Sequence, residues 1–161
     1  ITAILSEIAQ YQTQYITVTG GEPLAQKACL TLLSTLCDRG YSVSLETSGA
    51  LDVSKVDTRV SKIMDIKTPG SGEVEKNYWK NLDCLTPQDE LKFVLCDEQD
   101  YKWACEMVIK RRLAFICTVL FSPVHNTLNP TNLAEWVLRD QIAVRIQLQL
   151  HKILWGTESG R

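Results

Sequence analysis

Apolar and polar positions alternate between a helical period and a strand period along this chain. Apolar residues at positions 1, 4, 5 and 8 predict a helix within Ile1–Gln12. The same spacing predicts helices over Leu24–Arg39, Asp97–Arg112 and Pro130–Arg139, and a short helix over Ser54–Arg59. Runs rich in β-branched and apolar residues predict strands over Tyr15–Thr19, Tyr41–Glu46, Lys62–Ile66, Glu90–Leu95, Ala114–Phe121 and Ile142–Leu150. The segment Asn77–Pro87 shows neither period and is predicted to be irregular.

The order of these elements predicts an α/β fold. Helices that alternate with strands favour a parallel sheet, and right-handed crossovers curl such a sheet toward a barrel. We therefore predict one domain over residues 1–161, built as an incomplete TIM-type (βα) barrel. Because the chain begins with a helix, we expect the first strand of the barrel to be missing. The strand Tyr15–Thr19 is then expected to form an open edge.

Composition narrows the function classes. The 17 basic and 19 acidic residues give a net charge of -2, which argues against a general binder of nucleic-acid backbones. No apolar run is long enough to span a membrane, so no membrane partner is expected. The six cysteines form no C-x-x-C pair and no zinc-finger spacing, which favours reduced thiols in a cytoplasmic protein.

Five polar clusters lie at the carboxyl ends of predicted strands. They are TGGEP at 19–23, ETSG at 46–49, DIKTPG at 65–70, SPVHN at 122–126 and QLHK at 149–152. In a βα barrel, the carboxyl ends of the strands carry the functional groups. Each cluster alone also fits a simpler role: TGGEP a plain connector, ETSG a turn, DIKTPG an exposed ion pair, SPVHN a solvated surface histidine, and QLHK the exposed face of an edge strand. Their shared position favours a pocket.

The residue types suggest how such a pocket would bind. The amides of Gly20 and Gly21 suit a carboxylate and Glu22 suits an ammonium, so the turn could hold a zwitterion. Asp65 could hold a pair of hydroxyls or a cation, and Lys67 and Lys152 could hold a carboxylate. No serine or cysteine here has an adjacent histidine at an informative spacing, which favours cofactor chemistry over hydrolysis.

The TGGEP turn after a strand resembles the S-adenosylmethionine-binding turn of radical S-adenosylmethionine enzymes. The ordered set VTGGEPLAQ, VSLETSGA, MDIKTPGSGE, LKFVLCD, SPVHN and QLQLHKILWG is similar to 7-carboxy-7-deazaguanine synthases over essentially the whole chain. GGEP alone marks only the superfamily, whereas the ordered set, which ends in QLHKILWG, is much more specific.

The resemblance implies a lyase. In that family a 4Fe-4S cluster reduces S-adenosylmethionine to a 5′-deoxyadenosyl radical, which takes a hydrogen atom from 6-carboxy-5,6,7,8-tetrahydropterin. The ring contracts with loss of ammonia to 7-carboxy-7-deazaguanine, with Mg²⁺ assisting, on the route to queuosine. It also implies a homodimer that is reduced by a donor such as flavodoxin.

Site residues follow from the matching motifs. Gly20, Gly21 and Glu22 would contact the methionyl part of S-adenosylmethionine, and Asp65, Ile66, Lys67 and Ser48 would line the adenosine side. Thr19 would contact the pterin, and Ser122, His125, Gln149 and His151 would face the substrate or the cofactor.

One departure from the family concerns the metal sites. The family's C-x-x-x-C-x-x-C triad, which holds the cluster, and its nearby magnesium-binding threonine match nothing in this sequence. We expect those ligands in an N-terminal segment that precedes this part of the enzyme, and we expect the chain alone to be inactive. The alternatives are a radical-activating enzyme of the same superfamily, which would act on a protein partner, and a non-catalytic module that binds S-adenosylmethionine or a nucleoside.

Overall fold

A computed structural model describes residues 1–156 of the chain. Its sheet contains strands β1 (Tyr15–Val18), β2 (Ser42–Thr47), β3 (Ser61–Ile66), β4 (Glu90–Leu95), β5 (Thr118–Pro123) and β6 (Arg145–Ile146). Its α-helices are α1 (Thr2–Ile8), α2 (Cys29–Asp38), α3 (Glu98–Lys110), α4 (Pro130–Asp140) and α5 (Leu150–Trp155). Short 3₁₀ turns connect several of these elements.

The six strands are all parallel and lie in the order in which the chain makes them, β1 to β6. Each strand pairs with the next, from Tyr15 opposite Ser42 in the first pair to Leu120 opposite Arg145 in the last. This confirms the predicted α/β class and parallel sheet. Within residues 1–156, β1 and β6 are the two edges, so the open edge predicted at Tyr15–Thr19 is confirmed and the barrel is incomplete.

Two apolar clusters pack between the sheet and its helices. Phe93, Phe121 and Tyr101 centre the first cluster, with ring centroids 5.6 Å apart between the two phenylalanines. Leu33 and Leu36 of α2 centre the second, against β2. Because side chains alternate across a strand, the residues between these apolar positions face the other side of the sheet. On that side lie Thr17 of β1, Ser44 and Glu46 of β2, Asp65 of β3, and Glu90 and Lys92 of β4, together with the apolar Ile63 and Val94.

The helix predicted over Leu24–Arg39 is interrupted. A 3₁₀ turn spans Pro23–Ala25, Gln26 is extended (ψ 122°), and α2 begins only at Cys29. The apolar spacing continues through both pieces, so the pattern gave no sign of the break. Gly40 follows the end of α2 with φ 85°.

The short helix predicted over Ser54–Arg59 is wrong. Residues 54–60 form turns. Asp52 accepts a 2.8 Å hydrogen bond from the N–H of Ser54, and Asp57 accepts a 2.9 Å bond from the N–H of Arg59. Aspartate side chains that bond two residues ahead compete with helical bonding.

Three further boundaries differ from the prediction. The first helix ends at Ile8 instead of Gln12. The predicted strand Ala114–Phe121 begins at Thr118, after a 3₁₀ turn at Leu113–Phe115. The predicted last strand, Ile142–Leu150, shrinks to Arg145–Ile146, and its end joins α5. The alternation at 144, 146, 148 and 150 runs into apolar positions 150, 153 and 154, which suit a helix.

Predicted helix starts are confirmed. Asp97 accepts from the N–H of Asp100 at 2.9 Å, and Asn129 accepts from the N–H of Thr131 at 2.8 Å ahead of Pro130. In the irregular segment predicted at Asn77–Pro87, a 3₁₀ turn covers Trp79–Cys84. No helix in residues 1–156 has the length and hydropathy to cross a bilayer.

Candidate functional site

Glu22 stands at the turn after β1, where its carboxylate joins two loops. Oε1 accepts from the N–H of Leu24 at 3.0 Å and from the hydroxyl of Thr47 at 2.9 Å. Oε2 accepts from the N–H of Ser48 at 2.8 Å and from the Ser48 hydroxyl. Burial alone would raise the pKa of Glu22, but these hydrogen bonds outweigh it and hold the pKa below the ordinary 4.5. Glu22 therefore anchors the site; its predicted contact with S-adenosylmethionine stays a prediction.

The two glycines before Glu22 leave open space beside the backbone. Gly20 has φ 104° and Gly21 has φ 59°, conformations that side-chain-bearing residues rarely adopt. A Cβ on either glycine would meet no atom within 4 Å. The turn is thus a bare cradle that a ligand can approach closely, which fits the predicted role for the methionyl part.

A cleft of about 110 Å³ opens beside this turn, at the carboxyl ends of β1, β2 and β3. Its walls are Thr19, Gly21, Glu46, Thr47, Ser48, Asp65 and Lys67. The fold therefore brings together five residues of the predicted site from three separate motifs. Thr19 also donates a 3.3 Å hydrogen bond to Glu46, which links the first two strand ends.

Asp65 lies between two lysines. Lys67 Nζ is 3.5 Å from Oδ2, and Lys92 Nζ is 3.4 Å from Oδ1. Lys92 is the register partner of Asp65 on β4. Oδ1 is buried, yet it receives no hydrogen bond from the described residues. A buried carboxylate oxygen without a donor is suited to a ligand hydroxyl or amine.

Further cavities continue along the same edge of the sheet. Ile66 lines one of about 270 Å³, which shares Asp65 and Lys67 with the first cleft. Val124 belongs to both this cavity and one of about 490 Å³ next to β5. On the other side, Gly20 lines a cavity of about 280 Å³ that shares Thr19 with the first cleft. The cleft and the cavities of about 270 and 490 Å³ are therefore neighbours along the strand ends, and we call this row of three spaces the groove.

The predicted substrate residues of the last two motifs divide into two groups. His125 and Gln149 line the 490 Å³ cavity. Ser122 is buried within β5, 2% exposed, and His151 is an exposed residue of α5; neither is among the lining residues of that cavity. The QLHK motif does not end a strand as expected, because Gln149 immediately precedes α5.

Sequence reasoning missed Lys92. The signal was present, because the charged residues Glu90 and Lys92 alternate with the apolar residues Leu91 and Phe93 along the predicted strand. A charged residue at that position of a parallel strand places it on the polar face of the sheet. Glu46 belongs to the ETSG motif and lines the cleft, but the family motifs imply no role for it.

The described residues do not fit an iron–sulfur cluster or a magnesium site. Residues 1–156 contain no group of three or more His, Cys, Asp and Glu side chains that could hold a metal ion. All six cysteines are free, and burial raises the pKa of Cys117 to about 11. We therefore assign no step of the chemistry to a metal held by these residues.

Comparison with known proteins identifies the family of the chain. No protein-family model matches it. A curated protein of Chlorobaculum tepidum, named 7-carboxy-7-deazaguanine synthase, is 42% identical over 162 residues, which cover 99% of this chain and 74% of that protein. The chain belongs to the 7-carboxy-7-deazaguanine synthase family. A second member, from Koribacter versatilis, is 40% identical over 89% of this chain and 70% of its own length.

Solved structures of low sequence identity confirm the fold. QueE from Escherichia coli superposes with a TM-score of 0.62 at 20% identity, covering 91% of this chain and 61% of that chain. SuiB from Streptococcus suis, bound to S-adenosylmethionine, gives 0.61 at 9% identity and covers 91% of this chain and 40% of SuiB. The chain thus spans about three fifths of QueE, and the shared part is the partial barrel.

Proposed function

We propose that this chain forms the S-adenosylmethionine- and pterin-binding part of a 7-carboxy-7-deazaguanine synthase. The reaction is the ring contraction of 6-carboxy-5,6,7,8-tetrahydropterin to 7-carboxy-7-deazaguanine with loss of ammonia, a carbon–nitrogen lyase reaction. One observation carries the proposal: in a member of this family, Thr19, Gly21, Ser48, Asp65 and Lys67 surround one cleft.

Each part of the groove has a proposed task. Bare backbone at Gly20 and Gly21 admits the methionyl end of S-adenosylmethionine. Asp65 offers an oxygen without a hydrogen-bond donor toward the adenosine side, with Ile66 and Lys67 beside it. When bound, S-adenosylmethionine supplies the radical that removes hydrogen from the substrate. The chain's own residues bind and orient the reactants.

The pterin is proposed to contact Thr19 in the first cleft and to reach His125 and Gln149 on the wall of the 490 Å³ cavity. A substrate with a carboxylate and several ring nitrogens suits these polar groups. Ser122 and His151 are proposed to act from beside the groove, as the family motifs imply.

Partners and metals are proposed from family membership. The active enzyme is proposed to carry a 4Fe-4S cluster and Mg²⁺ on ligands outside residues 1–156, to act as a cytoplasmic homodimer and to receive electrons from a donor such as flavodoxin. No nucleic acid or membrane partner is proposed. Membership favours the synthase over a radical-activating enzyme, because curated relatives at 42% and 40% identity carry the synthase name.

Equilibrium dialysis with S-adenosylmethionine tests the proposal without catalysis. Gly21→Ala is expected to weaken binding by about tenfold or more, because the new methyl group fills the cradle. Gly40→Ala is the matched control: Gly40 also has positive φ (85°) and open space, but it lies between α2 and the amino end of β2, at the opposite edge of the sheet from the cleft. Equal binding by the two variants, or no binding by the wild-type chain, would contradict the proposed cofactor site.

Turnover of the tetrahydropterin then separates the synthase from a binding module. The chain alone, after reconstitution with iron and sulfide, is expected to be inactive. The same assay on a longer form that includes the family's cysteine triad is expected to yield 7-carboxy-7-deazaguanine. Cofactor binding without turnover in that longer form would favour the non-catalytic module.

A further inference from the structure

Two buried asparagines lie between β3 and β4, outside the motifs of the site. Asn77 is 8% exposed and Asn81 is fully buried. Asparagine carries both a donor and an acceptor at its tip, so it can pair with a backbone segment much as a neighbouring strand would. Asn77 forms hydrogen bonds with the backbone of the loop after β3, and Asn81 with the backbone of the loop after β2.

Asn77 closes a two-bond pair with Lys67. Its Oδ1 accepts from the N–H of Lys67 at 2.8 Å, and its Nδ2 donates to the carbonyl of Lys67 at 2.9 Å. Lys67 follows the last residue of β3 and lines two cavities of the groove. Asn77 therefore fixes the backbone of Lys67, just beyond the last residue of β3.

Asn81 holds the loop after β2 in a similar way. Its Oδ1 accepts from the N–H of Val53 at 3.1 Å, and its Nδ2 donates to the carbonyls of Gly49 at 3.1 Å and Leu51 at 2.8 Å. Gly49 directly follows Ser48, which lines the first cleft. The N–H of Tyr78 also donates to the Gly49 carbonyl at 3.1 Å.

We propose that the segment Asn77–Asn81 sets the spacing between the loop after β2 (residues 48–53, the Ser48 loop) and the loop after β3 (residues 67–70, the Lys67 loop). Both asparagines are then positioning residues for the ligand in the cleft. This segment contributes no wall to the cleft, so its influence passes through the two backbones that it holds. The inference rests on the proposed function, because it takes S-adenosylmethionine as the ligand.

Asp100 binds the Lys67 loop separately, at Thr68 and Gly70. Asp100, fully buried at the start of α3, accepts from the N–H of Gly70 at 2.7 Å and from the hydroxyl of Thr68 at 2.9 Å. Those bonds remain when Asn77 is changed. A substitution at Asn77 is therefore expected to move the Lys67 end of the loop without releasing the whole loop.

The test uses Asn77→Asp and Asn81→Asp, which keep the size of the side chain but replace its donor with an acceptor. In both variants an oxygen then faces a backbone carbonyl. Each variant is expected to weaken S-adenosylmethionine binding about tenfold, measured by equilibrium dialysis well below its unfolding temperature. Asn132→Asp, an exposed position on α4, is the matched control and is expected to bind as the wild type does.

The readouts separate positioning from stability. Unchanged affinity in folded Asn77→Asp, with only a lower unfolding temperature, would show a merely structural role and overturn the proposal. The double variant is expected to lose less than the product of the single losses, because both asparagines act on one spacing. Fully multiplicative losses would show two independent contacts and also overturn it.

A measurement on the wild-type chain covers the case in which the variants do not fold. S-adenosylmethionine is expected to slow amide hydrogen exchange at Lys67 and at Val53, the two N–H groups that the asparagines accept. Binding without slower exchange at these amides would overturn the positioning role and leave the proposed function intact. Absence of binding to the wild type would overturn both.

Discussion

The N–H of Ser48 donates a 2.8 Å hydrogen bond to the carboxylate of Glu22, which joins the turn after β1 to the loop after β2. The same carboxylate accepts from Leu24 and Thr47. One acidic side chain thus sets the relative position of two motifs that lie far apart in the sequence. Its removal should affect the geometry of the cleft as well as the stability of the fold.

Replacing Glu22 with glutamine tests this anchoring role. A glutamine amide places an N–H₂ group where Oε1 or Oε2 now accepts from donors, so at least one donor loses its partner. The free energy of unfolding is expected to fall by about 1–3 kcal/mol. Urea unfolding measures this loss. Glu106→Gln, which removes only a surface pair with Lys110, is the control and is expected to cost about 0.5 kcal/mol or less.

The stabilising effect of Glu22 should depend on pH. Because the folded-state pKa of Glu22 lies below 4.5, its contribution to stability is present above the unfolded-state value and is lost as pH falls through the folded-state pKa. The difference in unfolding free energy between wild type and Glu22→Gln is therefore expected to be constant near neutral pH and to shrink below about 4.5. A difference that grows on acidification would contradict the assignment.

Gly49→Ala is expected to be far more damaging than Gly72→Ala. The two glycines have φ 72° and 71°, so the conformational strain of an alanine, about 1–2 kcal/mol, is the same at both. A Cβ at Gly49 would also lie 2.9 Å from Met64 Cγ and 3.1 Å from the carbonyl oxygen of Asp65, whereas Gly72 has open space. Thermal unfolding of the two variants compares the costs. Equal losses would show that the loop can shift to accept the methyl group.

Lys92→Met should leave the negative charge of Asp65 with Lys67 as its remaining cationic neighbour among the described residues. Lys92 Nζ lies 3.4 Å from the buried Oδ1, and both side chains are less than a third exposed. Loss of this partner is expected to cost about 1–3 kcal/mol of unfolding free energy. Lys92→Met combined with Asp65→Asn should recover part of that loss, because the uncompensated charge is removed. A double-mutant cycle gives the coupling, and strictly additive losses would argue against an interaction.

The sheet could be predicted from the sequence because the pattern that indicates a strand is local and recurs with each strand. Each strand carries a short apolar run, and each strand end carries polar residues that a parallel sheet gathers at one edge. Thr19, Gly21, Ser48, Asp65 and Lys67 could be grouped in this way from three motifs. Helix starts at Asp97 and Pro130 were also readable, since capping depends on neighbouring residues alone.

What the sequence did not reveal depends on contacts between distant segments. The bonds from Asn77 to Lys67 and from Asn81 to Gly49 join residues whose separation carries no periodic signal. The last strand was overpredicted because β6 pairs with β5 at only two register positions, and the apolar alternation beyond it belongs to the approach to α5. The break between Pro23 and Cys29 left the apolar spacing unchanged.

The consecutive order of the strands has a consequence for folding. Because each strand within residues 1–156 pairs with its neighbour in the chain, each pairing closes only the segment between two consecutive strands. The sheet can therefore grow strand by strand from any nucleus, including during synthesis on the ribosome. Side-chain bonds such as that between Glu22 and Ser48 would form after the strands they connect, so the site would be the last part of the molecule to acquire its final shape.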